Sequence, residues 1–433
     1  MEWSIYNHIF FSKKTDSYLL YSSLTNMLIE LDDKSYQELM ALKENNFVSH
    51  NMDEDKFQLL IKGKFLVKSN ATEINKIVLS NLTNQYNNTR INLTIAPTRA
   101  CNFACIYCYE SDRAKISMNQ KTINGVIKFL ERYNYIENLS ITWYGGEPTL
   151  AIPIIQKLTQ RVLPLTKNYS SAIITNGFLL NKIIPYLQEL KIQGVQVTID
   201  GYESTHNQRR PLLNGKKTFD RIMNNIDQLI LMDKISIMLR MNVDDSNSDE
   251  YAYLYQMCKE RFKGRVSLYP GFVKLSSGSV AGCKVEDCYT DFRKALFLKN
   301  IFEKHNIYSS EIYPFIQSKG CMANQLNGLL IGPEGELYKC WHHLGNKEKI
   351  VGSVFEKSVF TNVDYFADCM LKQGLFDEQC KQCVLFPSCG SGCFDMREKN
   401  ENYCIPAKTM LEDFLEIHYE MKKRESLIDN HDE

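Results

Sequence analysis

The chain has 433 residues, 44% apolar and 24% charged, the balance of a folded protein long enough for two or three domains and a sizeable core. Its formal net charge is zero without long runs of one sign, which argues against a nucleic-acid backbone as partner. No apolar run approaches the ~20 residues needed to span a bilayer, and the opening MEWSIYNHIFF lacks the features of a secretion signal, so a cytoplasmic protein without a membrane partner is expected.

Residues 1 to about 90 open with short runs rich in Ile, Phe, Tyr and Leu, which predict strands at Tyr6–Ser12, Tyr18–Ser23 and Met27–Leu31. Helical patterns follow near 35–45, 53–61 and 71–83, with Asp33 placed to cap the first. Three strands followed by helices make a small α+β unit of winged-helix type. From 91 to about 310, strands at 91–97, 138–144, 171–175, 194–199, 235–243 and 265–273 alternate with helices at 118–133, 152–163, 180–190, 217–231 and 249–262. This βα rhythm means parallel strands with crossover helices. The fold class is α/β, a partial (β/α)6 TIM-like barrel with fewer units than the eight that close one.

From 311 to 433 the character changes. Turn-formers mix with cysteines in GPEG (332–335) and FPSCGSGC (386–393). Such a region has too few apolar residues for its own core and calls for metal staples. A closing helix near 406–423 is expected, with a frayed tail after Arg424.

Fourteen cysteines need a reason. Disulfides are disfavoured in the cytosol, so clustered cysteines point to metal or redox chemistry. The first group is Cys101-Asn-Phe-Ala-Cys105-Ile-Tyr-Cys108, directly after a strand. Three thiolates can hold three irons of a 4Fe–4S cubane and leave the fourth open to the amino and carboxylate groups of a small molecule. Structural zinc normally wants four ligands.

This C-x3-C-x-aromatic-C run resembles the signature of the radical S-adenosylmethionine (radical SAM) enzymes. Gly145-Gly146-Glu147-Pro148 ends the second barrel strand, where the family binds the amino group of S-adenosylmethionine. Glycine there lets backbone carbonyls approach a ligand. Thr175-Asn176-Gly177 ends the third strand, and Thr198-Ile199-Asp200-Gly201 the fourth. The resemblance implies that Thr198 and Arg210 hold the carboxylate, an assignment that neighbouring Arg209 leaves open by one residue. A guanidinium suits that task because it forks onto a carboxylate. Tyr107 would lie against the adenine through its backbone. His206 reads as structural, and Arg240 with Asn242 as a weaker pair at the next strand end.

Cys380, Cys383, Cys389, Cys393 and Cys404, preceded by Cys321 and Cys340, resemble the SPASM extension, which carries two auxiliary 4Fe–4S clusters. The gap before Cys404 is shorter than in that pattern. The resemblance gives one cluster Cys380, Cys383, Cys389 and Cys404. It gives the other Cys321, Cys340 and Cys393, with a fourth position open or filled by Cys283, Cys288 or another group. Zinc is the rival occupant for such spacings. Cys258 and Cys369 read as buried thiols.

SPASM enzymes mostly modify peptides. The sulfatase-maturating type places an Asp, as proton acceptor, after the cysteine matching Cys340, where this chain has Trp341 followed by His342 and His343. The residues before the first cysteine group look like the peptide-recognition (RRE-like) domains of maturases of ribosomally made peptides, which capture a leader segment by adding it to a sheet edge. The expected activity is therefore oxidative crosslinking of a precursor peptide, thioether favoured, with an external donor such as flavodoxin or ferredoxin supplying electrons. Asp200, His342 and His343 are the candidates for a general base. A protein-modifying enzyme of the sulfatase-maturating type and a catalytically inactive peptide-binding protein stand as alternatives.

Overall fold

The computed structural model describes residues 1–44, 53–108, 110, 114–133, 136–273, 289–316, 320–390, 392–399 and 404–429. Tertiary contacts group the chain into two compact units: residues 1–86, 290–321 and 371–433 form one, and 87–289 with 322–370 the other. This grouping is discontinuous in sequence and does not follow the linear boundaries at 90 and 310.

The first unit opens with β1 (Glu2–Trp3), β2 (Asn7–Ser12), β3 (Ser17–Ser22) and β4 (Met27–Leu31). Strands β2–β4 make an antiparallel sheet with β3 in the middle. Its two tight turns carry Asp16 and Asn26 at positive φ, a conformation these short polar side chains tolerate. Helices Asp33–Glu44, Glu54–Lys62 and Asn70–Gln85 follow. The cap of the first is Asp32, one residue earlier than expected, whose Oδ1 accepts the Ser35 N–H at 2.7 Å. Between the last two helices, β5 (Leu66–Val67) pairs antiparallel with β1, a contact between distant segments that no local pattern announces.

Leu20, Leu39, Leu42, Leu60, Phe65 and Leu66 form this unit's first core. A second joins Tyr6, Ile74, Ile77 and Leu82 to Leu375 and Phe386, so the cysteine-rich segment shares apolar burial with the N-terminal residues. Tyr6 is fully buried and its hydroxyl donates to the Lys381 carbonyl at 2.8 Å. Tyr6→Phe keeps the packing and leaves that carbonyl unpaired, so denaturant unfolding should register a loss of about 1 kcal/mol. The closing helix runs Leu411–Asp429, past the point after Arg424 where fraying is expected, and residues 420–425 support it as strong helix formers joined by Lys422–Glu425 and Arg424–Glu420 ion pairs.

Among the described residues the second unit is built on a sheet of nine strands. β6 (Arg90–Ile95), β7 (Asn138–Trp143), β8 (Asn168–Thr175), β9 (Ile192–Thr198), β10 (Ser236–Val243) and β11 (Val266–Phe272) are parallel neighbours in sequence order. The six expected barrel strands are all present. Helices Gln120–Leu130, Ile152–Val162, Phe219–Leu229 and Tyr251–Phe262 cross between them. The helix expected over 180–190 is broken instead, α-helical over Leu180–Ile183 and 3-10 over Ile184–Tyr186, because Pro185 has no N–H to continue the ladder.

The sheet does not end at β6. Gly328–Ile331 (β12) pairs parallel with it, in register from Gly328↔Asn92 to Ile331↔Ile95, and β13 (Glu336–Tyr338) and β14 (Gly352–Ser353) add antiparallel. The sequence does not reveal this extension, because GLLI is a four-residue apolar run whose partner lies far away in the chain. Ala96, Leu330, Tyr338 and Leu344 pack where the two parts of the sheet join.

Candidate active site

The C-terminal ends of the parallel strands bring the sequence motifs together. After β6 the chain runs through Thr98–Ala100 into the cysteine loop. The Gly145-Gly146-Glu147 loop after β7 lies directly on it: Gly146 N–H donates to the Thr98 carbonyl at 3.1 Å and Glu147 N–H to that of Ala100 at 2.9 Å. A Cβ on Gly145, which has φ of +105°, would stand 2.4 Å from the Thr98 oxygen, and one on Gly146 2.3 Å from that of Arg99. Only glycine fits this approach.

The far side of the cysteine loop is held by residues 209–213. Ala104 N–H donates to the Pro211 carbonyl at 2.8 Å, Ile106 N–H to that of Arg209 at 3.1 Å, and Leu213 N–H to that of Asn102 at 3.0 Å. Phe103 packs edge-on against Phe178, 6.0 Å between centroids. The loop is thereby clamped on two sides.

Glu147 is fully buried and ties two strand ends together. Its Oε1 accepts from Thr149 N–H at 3.0 Å, the Thr149 hydroxyl at 2.5 Å and the Thr175 hydroxyl at 2.7 Å; its Oε2 accepts from Asn176 N–H at 2.7 Å. Burial pushes its carboxyl up, against those bonds. Asn176 in turn donates its amide to Asn102 Oδ1 at 2.8 Å, reaching the cysteine loop. Both residues therefore act as positioning groups for the loops around them.

Below the loop lies a buried polar network. The Tyr107 hydroxyl donates to Asp200 Oδ2 at 2.5 Å and accepts from Arg210 Nη1 at 2.5 Å and Asn242 Nδ2 at 2.9 Å. Arg240 Nε donates to Asn242 Oδ1 at 2.8 Å. Burial raises the Tyr107 phenol well above its ordinary value, so it stays a neutral donor. The hydroxyl's role was not visible in the sequence, which suggested only backbone contact.

The two arginines differ in their ion pairs, although the Nε of each lacks a hydrogen bond among the described residues. Arg209 is spent on structure, with its guanidinium 2.9 Å from Asp244 Oδ2 and 3.6 Å from Asp200 Oδ2. Arg210 is 6% exposed, feels the Cys105 thiol electrostatically, and its Nε has no hydrogen-bond partner among the described residues. A buried, partly unsatisfied guanidinium beside the cysteine loop is suited to an anion. Thr198 is buried at the end of β9.

His206 has a structural place. Its Nδ1 accepts the Asp200 N–H at 3.1 Å, and Nε2 lies 3.1 Å from the Thr218 hydroxyl, which itself donates to the Arg210 carbonyl. That pattern fixes the Nε2–H tautomer, and burial holds the ring neutral. The candidates for a general base are placed less favourably. Asp200 is fully buried, with Oδ1 taken by the Asn242 N–H and Oδ2 by Tyr107. His342 is exposed, and buried His343 has Nδ1 3.3 Å from the Tyr365 hydroxyl. Trp341 stacks on Tyr144 and donates its indole N–H to Thr94 Oγ1 at 2.8 Å.

Among the described residues no three His, Cys, Asp or Glu side chains converge tightly enough for a single metal ion. The three thiols nonetheless act on one another: burial pushes Cys101 and Cys108 up to about 12, with Cys105 adding to both. They are protonated when free, so ligation releases protons.

A second group lies in the other unit. Burial pushes Cys389 up to about 11, and Cys380, Cys383 and Cys404 around it add to the rise. These are the four cysteines expected to share a cluster. Asp377 caps the helix Glu378–Lys381 that carries Cys380, accepting that residue's N–H at 3.0 Å. Of the three-cysteine set, Cys321 and Cys393 belong to the first unit and Cys340 to the second. Cys283 and Cys288 lie outside the described residues. Cys258 and Cys369 are buried thiols, as expected.

Comparison with known proteins agrees with this geometry. The family model "Radical SAM superfamily" matches residues 95–252. The serine-type anaerobic sulfatase-maturating enzyme of Klebsiella aerogenes is 24% identical over 321 residues, 68% of this chain and 77% of that protein. The solved structure of anSMEcpe with bound AdoMet superposes with a TM-score of 0.58 at 20% identity, covering 76% of this chain and 97% of that one. Streptococcus suis SuiB bound to S-adenosylmethionine gives 0.51 at 16% identity, covering 94% and 98%. Both proteins have also been solved with peptides, Cp18Cys for anSMEcpe and the precursor SuiA for SuiB. Residues 95–252 carry a radical SAM domain, and the fold of the chain resembles those of anSMEcpe and SuiB.

Proposed function

We propose that this enzyme modifies a ribosomally made precursor peptide by oxidative crosslinking, with a thioether as the favoured product. The observation that carries the reading is the clamped cysteine loop, set between the Gly145–Glu147 loop and residues 209–213 at the ends of the parallel strands. A 4Fe–4S cluster with S-adenosylmethionine, bound there, supplies reductive cleavage to a 5′-deoxyadenosyl radical.

In this reading the thiolates of Cys101, Cys105 and Cys108 hold the cluster. Arg210, with Thr198 beside it, orients the carboxylate of S-adenosylmethionine. The Gly145–Gly146 backbone receives its amino group, and Tyr107 supports the adenine from a phenol locked by Asp200 and Asn242. Glu147 and Asn176 keep those loops in register.

For the peptide, support comes from β2–β4, in which β4 pairs with β3 alone among the described residues. Such an edge can accept an extended leader segment as an added strand. An auxiliary cluster at Cys380/Cys383/Cys389/Cys404 completes the proposal, with an external flavodoxin or ferredoxin as donor and a cytoplasmic location. No helix among the described residues is long and apolar enough to cross a membrane. Trp341, engaged with Thr94 and Tyr144, speaks against the sulfatase-maturating type, which needs a carboxylate there.

The test is to reconstitute the full chain with iron and sulfide. It is then incubated with S-adenosylmethionine, a strong reductant and any short peptide found to be encoded beside its gene. Crosslinking removes one hydrogen pair, about 2 Da from the peptide, together with 5′-deoxyadenosine release. An unchanged mass with inverted stereochemistry would replace crosslinking by epimerisation. 5′-Deoxyadenosine without any change in the peptide would overturn the peptide reading, and zinc in place of iron the cluster reading.

A further inference from the structure

The four cysteines of the first unit do not stand alone. Arg397, on the short helix Phe394–Lys399, places Nη1 3.5 Å from Cys380 Sγ, and its Nη2 lies 3.0 Å from Asp377 Oδ2. Asp377 is the same residue that caps the Cys380 helix, so one carboxylate fixes both the thiol's backbone and the cation facing its sulfur. Lys408, four residues beyond Cys404, donates from Nζ to Cys404 Sγ at 3.4 Å. Two cations therefore address two different sulfurs of one group of cysteines. Arg397 has a side chain 15% exposed, whereas Lys408 is on the surface.

We infer that Arg397, oriented by Asp377, and to a smaller degree Lys408 raise the reduction potential of the auxiliary cluster and so set it up to accept an electron. The inference rests on the proposal that Cys380, Cys383, Cys389 and Cys404 hold a 4Fe–4S cluster. A hydrogen bond and a positive charge at a ligand sulfur stabilise the reduced, more negative cluster over the oxidised one, and this is a principal lever on such potentials. Burial decides between the two cations. Arg397 acts through little water, while the charge of Lys408 is screened. Crosslinking leaves a substrate radical that must lose one electron as the new bond forms, and a cluster that is easy to reduce is suited to take it.

The experiment is an EPR-monitored redox titration of the reconstituted full chain, with iron and sulfide counted in parallel. Arg397→Gln should shift the auxiliary couple to lower potential by about tenfold in the oxidised-to-reduced ratio, roughly 59 mV for one electron. Lys408→Gln should shift it less, and Arg397→Lys should restore part of the loss. Asp377→Asn keeps one oxygen for the cap and turns an NH2 toward Arg397, so the guanidinium loses its anchor and the couple should fall, by less than in Arg397→Gln. In all four variants 5′-deoxyadenosine formation without peptide should equal the parent's. Full iron with an unmoved potential in Arg397→Gln would overturn the inference. The reading beneath it fails separately, if Cys380→Ala and Cys404→Ala leave the iron content of the protein unchanged.

Discussion

Glu147→Ala should cost roughly 3–5 kcal/mol of stability and remove S-adenosylmethionine cleavage with it. The carboxylate takes four hydrogen bonds in a site with no exposure to solvent, two of them from backbone N–H groups that cannot turn elsewhere. Each buried donor left without an acceptor costs about 1–3 kcal/mol, although the two threonine hydroxyls can rotate and recover part. Glu147→Gln makes the sharper comparison. Its single amide oxygen can serve the three donors at the Oε1 position, which leaves the NH2 facing the Asn176 N–H. That variant should lose about 1–2 kcal/mol, one unsatisfied donor's worth. Urea unfolding of the three proteins measures the series. An alanine variant within 0.5 kcal/mol of the parent, about the scatter of ordinary surface changes, would show that the loops do not depend on this carboxylate.

Gly146→Ala should reduce 5′-deoxyadenosine formation about 100-fold, the scale expected when a reacting group is displaced by an ångström. The added carbon would stand 2.3 Å from the Arg99 oxygen and 2.5 Å from the Ala100 oxygen, both backbone. Neither can swing aside, so the loop has to part from the segment that leads into Cys101. Overpacking of this kind also destabilises by about 1–3 kcal/mol. Gly194→Ala on β9 is the matched control. Its new carbon meets only the Ala172 Cβ, at an ordinary 3.4 Å, and activity should be kept. Equal loss in both variants would point to general intolerance of the sheet, not to the loop contact.

The residues that could be read from sequence are those whose pattern is local. Alternating strand and helix periods placed all six barrel strands, and spacing singled out Cys101, Cys105 and Cys108, while the glycine loop was implied by the family resemblance. What stayed hidden depends on partners far away in the chain. Arg209 and Arg210 are adjacent and chemically identical, and only the position of Asp244 shows which of them is consumed by an ion pair. Asp200 sits in a suggestive turn, but its burial against Tyr107 makes it an anchor. Arg397 and Lys408 each lie four residues after a cysteine, a signal present in the sequence that becomes meaningful once the N–H···S geometry is known. His342 and His343 drew attention through their charge type, and the fold sends one to the surface and the other against Tyr365.

The pairing of β12 with β6 has a consequence for how the protein is made. The strand that feeds Cys101 cannot complete its hydrogen bonding until residues 328–331 have left the ribosome, long after the rest of the parallel sheet has emerged. During that interval the nascent chain carries an open strand edge beside the three thiols of the cysteine loop. Such edges recruit other chains, and pairings this distant form slowly. A fragment stopped near residue 310 should accordingly aggregate, and a chaperone that shields the β6 edge should raise the yield of folded chain.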